Sequence, residues 1–572
     1  MELTIVAAVS VVAIVAVSAI SRRIAVAAPL SLVVVGIALS FLPSLPAIDV
    51  DPKIILDGAL PPLLYAAAVH MPAHDFRRDF KAIAGLAVLL VVLTTVCSGL
   101  LFNSLLPGLG LASAFALGAV ISPTDAVAAT SVGRRLGLPA RLLTILEGEG
   151  LVNDASSLVL LSSAVAATTA TVHLWKIGVD FAYAVVVAIA IGVVVGYANV
   201  RIRSLLKDPV MSTVASFVVP FLAWIPAEEL GASGALAAVV AGLVTGHQSP
   251  RFLVARDRLA ETVNWETVAF LLESGIFLLM GLQLKTLVDQ DDVAGLNPWQ
   301  AVAIGLAAAA VAVVLRVLFV VPLVALLRQD AARGATAKTQ LEQMHTKITD
   351  PEMTGRFSAR RLERVVEDIG RRIADIDFFV KENLGWRGGG VLAWSGMRGV
   401  VTVAAAQSLP DSTPFRPQIV LIAFVVAGTT LLAQGLTLPG VIRFLKITGD
   451  DPVADRAEYG ALLTELSAQA EAVLDDPDLV RPDGQAYGAE VLDRARQDTL
   501  VRSGAAAPPP EEDVAPREQY RLLMLRILAD ERAALLVVRS SGRYTSRVLG
   551  RAQRILDLRE ASLQQIADSD ES

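Results

Sequence analysis

Runs of about twenty apolar residues recur along this chain, and no other feature constrains its folding more. A helix of that length crosses the hydrocarbon core of a bilayer. Thirteen candidate spans are read, at 2–20, 24–42, 54–72, 82–102, 111–131, 141–171, 177–200, 210–226, 230–246, 264–284, 299–327, 388–408 and 417–445. Hydrophobic residues make up 54% of the 572 residues, and charged residues 18%. Three or four soluble domains of this length would not have that balance. Leu, Val and Ala dominate the runs, with no alternating ten-residue strands, which excludes an outer-membrane barrel. The expected fold is an all-α polytopic membrane protein, 1–446, followed by a helical cytoplasmic tail, 447–572. The lone cysteine, Cys97, excludes an intrachain disulfide.

Loop charge sets the expected orientation. One alternate set of short loops carries Arg22, Arg23, Arg77, Arg78, Lys81, Arg134, Arg135, Arg141, Arg201, Arg203, Lys207, Arg251, Arg256 and Arg258. The other carries Lys53, Lys176, Lys285 and Arg416, with acids such as Asp49, Asp51, Glu228, Glu229, Asp291 and Asp292. The N-terminus is therefore expected outside the cell inner (plasma) membrane. The insert 328–387 and the C-terminus are expected in the cytoplasm. No basic residues precede the first run, so it reads as a retained helix and not a cleaved signal. From Ile447 onward there are 24 acidic against 15 basic residues. Within the tail, Gly504–Pro516 reads as a linker, and Arg517–Val538 and Thr545–Ile566 as amphipathic helices. Ser358–Lys381 of the insert has helical apolar spacing, suited to the membrane surface, to the tail, or to a solvated linker.

An ionised side chain at mid-bilayer costs roughly 2.5–3.5 kcal/mol on insertion scales. Such residues cluster here. The fifth span holds Asp125, the sixth Glu147, Glu149 and Asp154, the tenth Glu273, and the twelfth Arg398. They must pair, protonate or face water. Glu149 and Asn153 are four apart and share a helix face, as do Glu147 and Asp154, seven apart. At 1.5 Å per residue from Arg141, Asp154 lies roughly 20 Å along its helix, near mid-depth. Glu147 lies nearer the cytoplasmic mouth.

Pro123, between Ser122 and Thr124, interrupts the fifth span by removing an amide donor. Freed carbonyls at that depth are tolerated only against protein or water, and they suit a small alkali cation. Gly396 and Gly399 bracket Arg398 as a second weak point. Interrupted helices five and twelve fit an inverted repeat in which spans 4–6 mirror 11–13, with the site at their crossing. Glu149 and Arg398 read as a structural charge pair. Glu273 reads equally as structure or as function. Asp154, beside an interrupted helix, reads as functional. His70 and His74 read as interfacial. No Walker phosphate loop is present to drive pumping with ATP, no His/Cys cluster has metal-site spacing, and neither a cofactor nor a nucleic-acid partner is expected.

The stretches LPPLLYAAAVHMPAHDFRRDF, ISPTDAVAATSV, EGEGLVNDASS, ESGIFLLMGLQL and SGMRGVVTVAAA resemble, in order and spacing, the cation:proton antiporter-1 family, the sodium/proton exchangers. The tail stretch AALLVVRSSGRYTSRVLGRAQRILDLREASL is similar to tails of bacterial members. The resemblance implies an NhaA-like fold, a homodimer with a six-helix core in each protomer, and elevator-type alternating access. It implies that Asp154 binds the monovalent cation, with Asn153 as its neighbour. Thr124 and Asp125 would form the unwound span, and Glu149 would pair with Arg398. Ser122, Glu147 and Glu273 are secondary candidates. The chain departs from the pattern at Gly150 and Ala66, where some members carry oxygen ligands, which opens the ion choice among Na+, Li+ and K+.

One carboxylate that binds either a cation or a proton couples their fluxes. Either neutralised form crosses, and the bare anion does not. The expected activity is electroneutral exchange of a monovalent cation, foremost Na+, against H+, serving pH and sodium homeostasis. K+/H+ exchange is the alternative on the same fold. From other classes, an intramembrane aspartyl protease would use Asp125 and Asp154, but neither GxGD nor a YD pair occurs. A passive cation channel would conduct without regard to a pH gradient.

Overall fold

The computed structural model describes residues 2–23, 26–42, 50–169, 174–206, 208–289, 297–348, 359–382, 384–447, 449, 452–502 and 517–570. The linker expected at Gly504–Pro516 lies outside the described residues. So do the loop acids Asp49, Asp291 and Asp292, and Lys207. In chain order the helices are α1 (Glu2–Arg23), α2 (Ala28–Ser40), α3 (Ile54–His70), α4 (Ala73–Arg78), α5 (Phe80–Leu105), α6 (Leu111–Ile121), α7 (Ala126–Arg135), α8 (Ala140–Thr169), α9 (Leu174–Arg203), α10 (Pro209–Glu229), α11 (Gly234–Phe252) and α12 (Ala255–Leu282). There follow α13 (Leu284–Asp289), α14 (Pro298–Ile348), α15 (Ala359–Lys381), α16 (Trp386–Trp394), α17 (Val400–Gln407), α18 (Arg416–Leu445), α19 (Pro452–Leu474), α20 (Ala489–Arg502), α21 (Arg517–Ser541) and α22 (Ser546–Asp570). Among the described residues, eight helical segments are long and apolar enough to cross a membrane.

Two compact units are present. The first comprises Met1–Ser249, Glu261–Gln329 and Leu384–Gly449. Its helices are apolar on their outer faces as well. α9, for example, exposes Val179, Val186, Val193 and Val194. A helix apolar all round is stable only in a larger core or in lipid. Small residues bring the inner helices together, as expected where van der Waals packing drives association. A Cβ on Gly118 of α6 would lie 2.4 Å from the Thr95 carbonyl of α5, and one on Gly99 2.4 Å from the Phe115 ring.

Both expected interruptions are present. The fifth span divides into α6 and α7 at Ser122–Asp125, where Pro123 has no amide to continue the ladder. Asp125 caps α7, accepting a 2.8 Å hydrogen bond from the Val127 amide. The twelfth divides into α16 and α17 at Ser395–Gly399. α14 differs from expectation, running 51 residues to Ile348 where its apolar run stops near 327. At 1.5 Å per residue that is roughly 76 Å, far beyond a ~30 Å core. The polar extension is rich in helix formers, so apolarity sets the span and propensity sets the helix.

The second unit comprises Pro250–Ala260, Asp330–Asn383 and Asp450–Ser572. α21 and α22 fall where two amphipathic helices are expected, and α19 and α20 join them. Leu462, Leu466, Leu528, Leu535, Val548 and Leu549 form one apolar centre, and Leu474, Val491, Leu523 and Ile527 another. α15 packs on α21, so among the three readings for the insert helix the contact found is with the tail. Arg258 donates to both carboxylate oxygens of Asp557, whose other neighbours are Arg532 and Gln553. Tyr544 donates a 2.8 Å hydrogen bond to Glu465 Oε2.

Candidate ion site

The two interruptions meet. The Asp125 amide donates to the Met397 carbonyl at 2.6 Å. Gly399 is required at this meeting, since a Cβ there would lie 2.3 Å from Asp125 Oδ2. Gly396 is required against another neighbour, for its Cβ would lie 2.3 Å from Arg316 Cδ. The glycines at the second break therefore allow close approach, a role beyond weakening the helix.

Arg398 is buried at the crossing, but it does not pair with Glu149. Its Nε donates to the Ile121 carbonyl at 3.2 Å and its Nη1 to the Gly396 carbonyl at 2.5 Å. Its amide donates to Thr430 Oγ1 at 3.0 Å. The guanidinium thus sits on the C-terminal end of α6, where helix carbonyls leave partial negative charge. At the opposite polarity, the Asp125 carboxylate caps the N-terminus of α7 and lies against the start of α17.

The partner of Glu149 is Arg316, in mid-α14. Arg316 Nη2 donates to Glu149 Oε2 at 2.8 Å, and Nη1 makes a second, shorter bond to Oε1. Its Nε donates to the Leu392 carbonyl at 2.8 Å. Both side chains are buried, with 1% and 3% exposure. The expected Glu149–Arg398 pair is corrected accordingly: a bidentate fork on α14 reaches the carboxylate, while Arg398 is spent on the broken helix ends. Sequence reasoning missed Arg316, although a single arginine within VAVVLRVLFVV is itself the signal that could have found it.

From Glu149 the polar chain runs to the first break. Thr124 Oγ1 donates to Glu149 Oε1 at 2.7 Å. Asn153 Nδ2 donates to the Thr124 carbonyl at 2.8 Å and to Thr124 Oγ1 at 2.9 Å. The shared face of Glu149 and Asn153 therefore grips Thr124. Ser122, a secondary candidate, turns its hydroxyl back to the Ala119 carbonyl of its own helix at 2.8 Å.

Asp154, one position on, faces the other way. It lines a cavity of about 410 Å³ together with Thr124, Asp125, Glu273, Thr402 and the N-termini of α7 and α17. Asp125, Asp154 and Glu273 are half-buried. Among the described residues the Asp154 and Glu273 carboxylates have no hydrogen-bond or ion-pair partner. The cavity extends to Arg134 and Glu147, which form a 2.5 Å ion pair whose arginine is 67% exposed, so this end reaches the surface. His70 lines it as well and bonds the Ala66 carbonyl through Nδ1. Ala66 and Gly150 form part of the wall and supply no side-chain oxygen. A Cβ at Gly150 would lie 2.9 Å from Ala126 Cβ, so the glycine also lets α8 approach the start of α7. The side-chain oxygens of Asp154, Asp125, Glu273, Thr124 and Thr402 are among those that line this cavity.

Crossed, interrupted helices around an unpaired carboxylate, inside an apolar bundle, define a secondary ion transporter. The profile of the family described as sodium/hydrogen exchanger, transmembrane, matches residues 9–443, and the chain belongs to that family. It is similar to an uncharacterized Na+/H+ exchanger of Mycobacterium tuberculosis, 27% identical over 98% of this chain and 96% of the relative. The low-affinity Na+/H+ antiporter NhaS1 of Synechocystis is 29% identical over 81% of this chain and 78% of its own. A sodium, potassium, lithium and rubidium/H+ antiporter of Bacillus pumilus is 28% identical over 72% and 57%. Among solved structures, the sodium proton antiporter MjNhaP1 of Methanocaldococcus jannaschii shares the fold, with TM-score 0.54 and 17% identity over 79% of this chain and all of that one. The protein is thus a multi-pass membrane transporter of the cation/proton exchanger class and not an enzyme.

Proposed function

We propose that the protein exchanges Na+ for H+ one for one, with Asp154 as the shared carrier. The observation that carries this reading is the Asp154 carboxylate, unpaired among the described residues, in a cavity at the crossing of two broken helices. A bare carboxylate moved through a low-dielectric interior is prohibitively costly. A cation or a proton on it removes that cost, so each ion's passage excludes the other's. Asn153 has no proton to release near neutral pH. Both carboxylate oxygens of Glu149 are engaged by the Arg316 guanidinium, so it is not offered to the cavity as a second carrier. One working carboxylate then gives electroneutral exchange.

Asp125 and Thr124 share the cation shell in this reading, with Glu147 and Glu273 as secondary carboxylates. Thirteen crossings with the N-terminus outside and the tail in the cytoplasm follow from the arginine-rich loops. Residues 1–446 would form the transport domain, with spans 4–6 and 11–13 as inverted repeats that move elevator-fashion in a homodimer of the inner membrane. The role is pH and sodium homeostasis. K+ is the second candidate ion, because Ala66 and Gly150 supply no side-chain oxygen where some family members carry one, and one relative's name includes potassium. In proteoliposomes, a pH gradient should drive uptake of Na+, with Li+ and K+ compared side by side. An imposed voltage should leave the reversal point unmoved. A voltage-dependent reversal point refutes one-for-one exchange, and flux indifferent to the pH gradient refutes antiport.

A further inference from the structure

A second cavity, of about 340 Å³, is lined by Asp51, Gln283, Thr286, Gln407 and Arg416 among others. Two stretches of chain connect it with the ion cavity. On the first, Glu273, Ile276 and Phe277 of α12 line the ion cavity, and Gln283 and Thr286, just beyond its end, line the second. On the other, Val400, Val401 and Thr402 open α17 in the ion cavity, and Gln407 closes it in the second. From Phe277 to Gln283 and from Thr402 to Gln407 is under two helical turns, roughly 8–9 Å. Leu278, Met280, Val403 and Ala406 lie between, buried in one apolar cluster. Neither a cation nor a carboxylate crosses such a plug unaided.

At the second cavity the two stretches are tied side chain to side chain. Gln407 Nε2 donates to Gln283 Oε1 at 3.2 Å. Gln283 is 4% exposed, and its Nε2, like Gln407 Oε1, has no protein partner among the described residues. Arg416 fixes this end of α17 independently, donating from Nη2 to the Gln407 carbonyl at 2.7 Å and from Nε to the Leu409 carbonyl at 2.9 Å. The glutamine bond is therefore a contact that can break without unravelling the helix.

We propose that the second cavity is the outer vestibule of the ion pathway, and that the Gln283–Gln407 bond is the latch of its seal. The two glutamines are positioning residues that bias the exchanger toward the state open at Arg134–Glu147. This rests on the alternating-access reading above. Removing a contact made in one state only shifts the population toward the other. Apparent affinity follows the fraction of the competent state.

The test is sided kinetics of Gln407→Leu in oriented proteoliposomes with Na+ as the probe. The external apparent KM should fall and the cytoplasmic one should rise, whereas a merely structural role lowers the maximal rate alone. Unchanged or parallel KM values overturn the latch. Should this variant fail to fold, Gln283→Cys/Gln407→Cys in a Cys97→Ala background is bridged with the shortest bifunctional thiosulfonate. Bridging should stop exchange, and reductant should restore it. Exchange that persists in the bridged protein, or a pair that never bridges, overturns the proposal. The parent separates the two readings, for an unsubstituted protein without proton-coupled Na+ flux fails as an antiporter whatever the glutamines do.

Discussion

Replacing Arg316 by methionine isolates the interaction that organises the site. The substitution keeps an apolar stem of similar length and deletes both guanidinium bonds to Glu149 and the bond to the Leu392 carbonyl. Glu149, 2% exposed, then keeps only the Thr124 hydroxyl as a side-chain partner among the described residues. Stranding one member of a buried pair costs about 3–5 kcal/mol, or roughly two to three and a half powers of ten in the folded-to-unfolded ratio at 1.4 kcal/mol per tenfold. Glu149→Gln strands Arg316 at a similar cost. The double substitution removes both charges, and the glutamine carbonyl still accepts from Thr124. Its cost should therefore fall short of the sum by about 2–3 kcal/mol, the upper range for residues in contact. The assay is unfolding of purified protein in mixed micelles by titrated dodecyl sulfate, read by tryptophan fluorescence for parent, single and double variants. A parallel cycle with Arg398→Met should give a coupling to Glu149 of less than about 1 kcal/mol, because Arg398 holds backbone carbonyls. A coupling through Arg398 as large as that through Arg316 would refute the assignment.

Asp154→Asn should abolish pH-gradient-driven Na+ flux in proteoliposomes while the protein inserts and melts like the parent, and substantial remaining flux would remove Asp154 from the mechanism. Asp557→Ala takes the anion from between Arg258 and Arg532. It should loosen the second unit by about 3 kcal/mol, seen as roughly hundredfold faster amide exchange in α21 and α22 of the full chain; unchanged protection would show the pair to be incidental. Burial, and then the hydrogen bond to Glu465, push the Tyr544 phenol up to about 12. The folded state thus holds that proton more tightly than the unfolded one. Its contribution is complete below pH ~10 and is lost as pH rises through ~12. The tyrosinate absorbance titration of the parent minus that of Tyr544→Phe should have its midpoint near 12, and a midpoint near 10 would contradict the environment described.

The helices, the two interruptions and the candidate carboxylate Asp154 are legible in the sequence alone, because each is a local property. Apolar run length marks a span, a proline without an amide breaks a ladder, and an ionised residue in such a run stands out by its cost. Hence Pro123 predicts the break between α6 and α7, and Asp154 is recognisable before any fold is known. Only the tertiary structure decides which charges meet. Glu149 has two arginines to choose between, on α14 and between α16 and α17, and the choice depends on helix rotation and interaxial distance. No periodicity within one helix encodes either. The same holds for Gly396 and Gly399, legible as weak points but needed because Arg316 and Asp125 press against them. It holds for Gln283 and Gln407 too, unremarkable polar residues in sequence, which packing brings to 3.2 Å across the seal. Length is misread in one further place. The α14 helix outruns its apolar segment because the bilayer constrains polarity, whereas backbone hydrogen bonding continues wherever propensity allows.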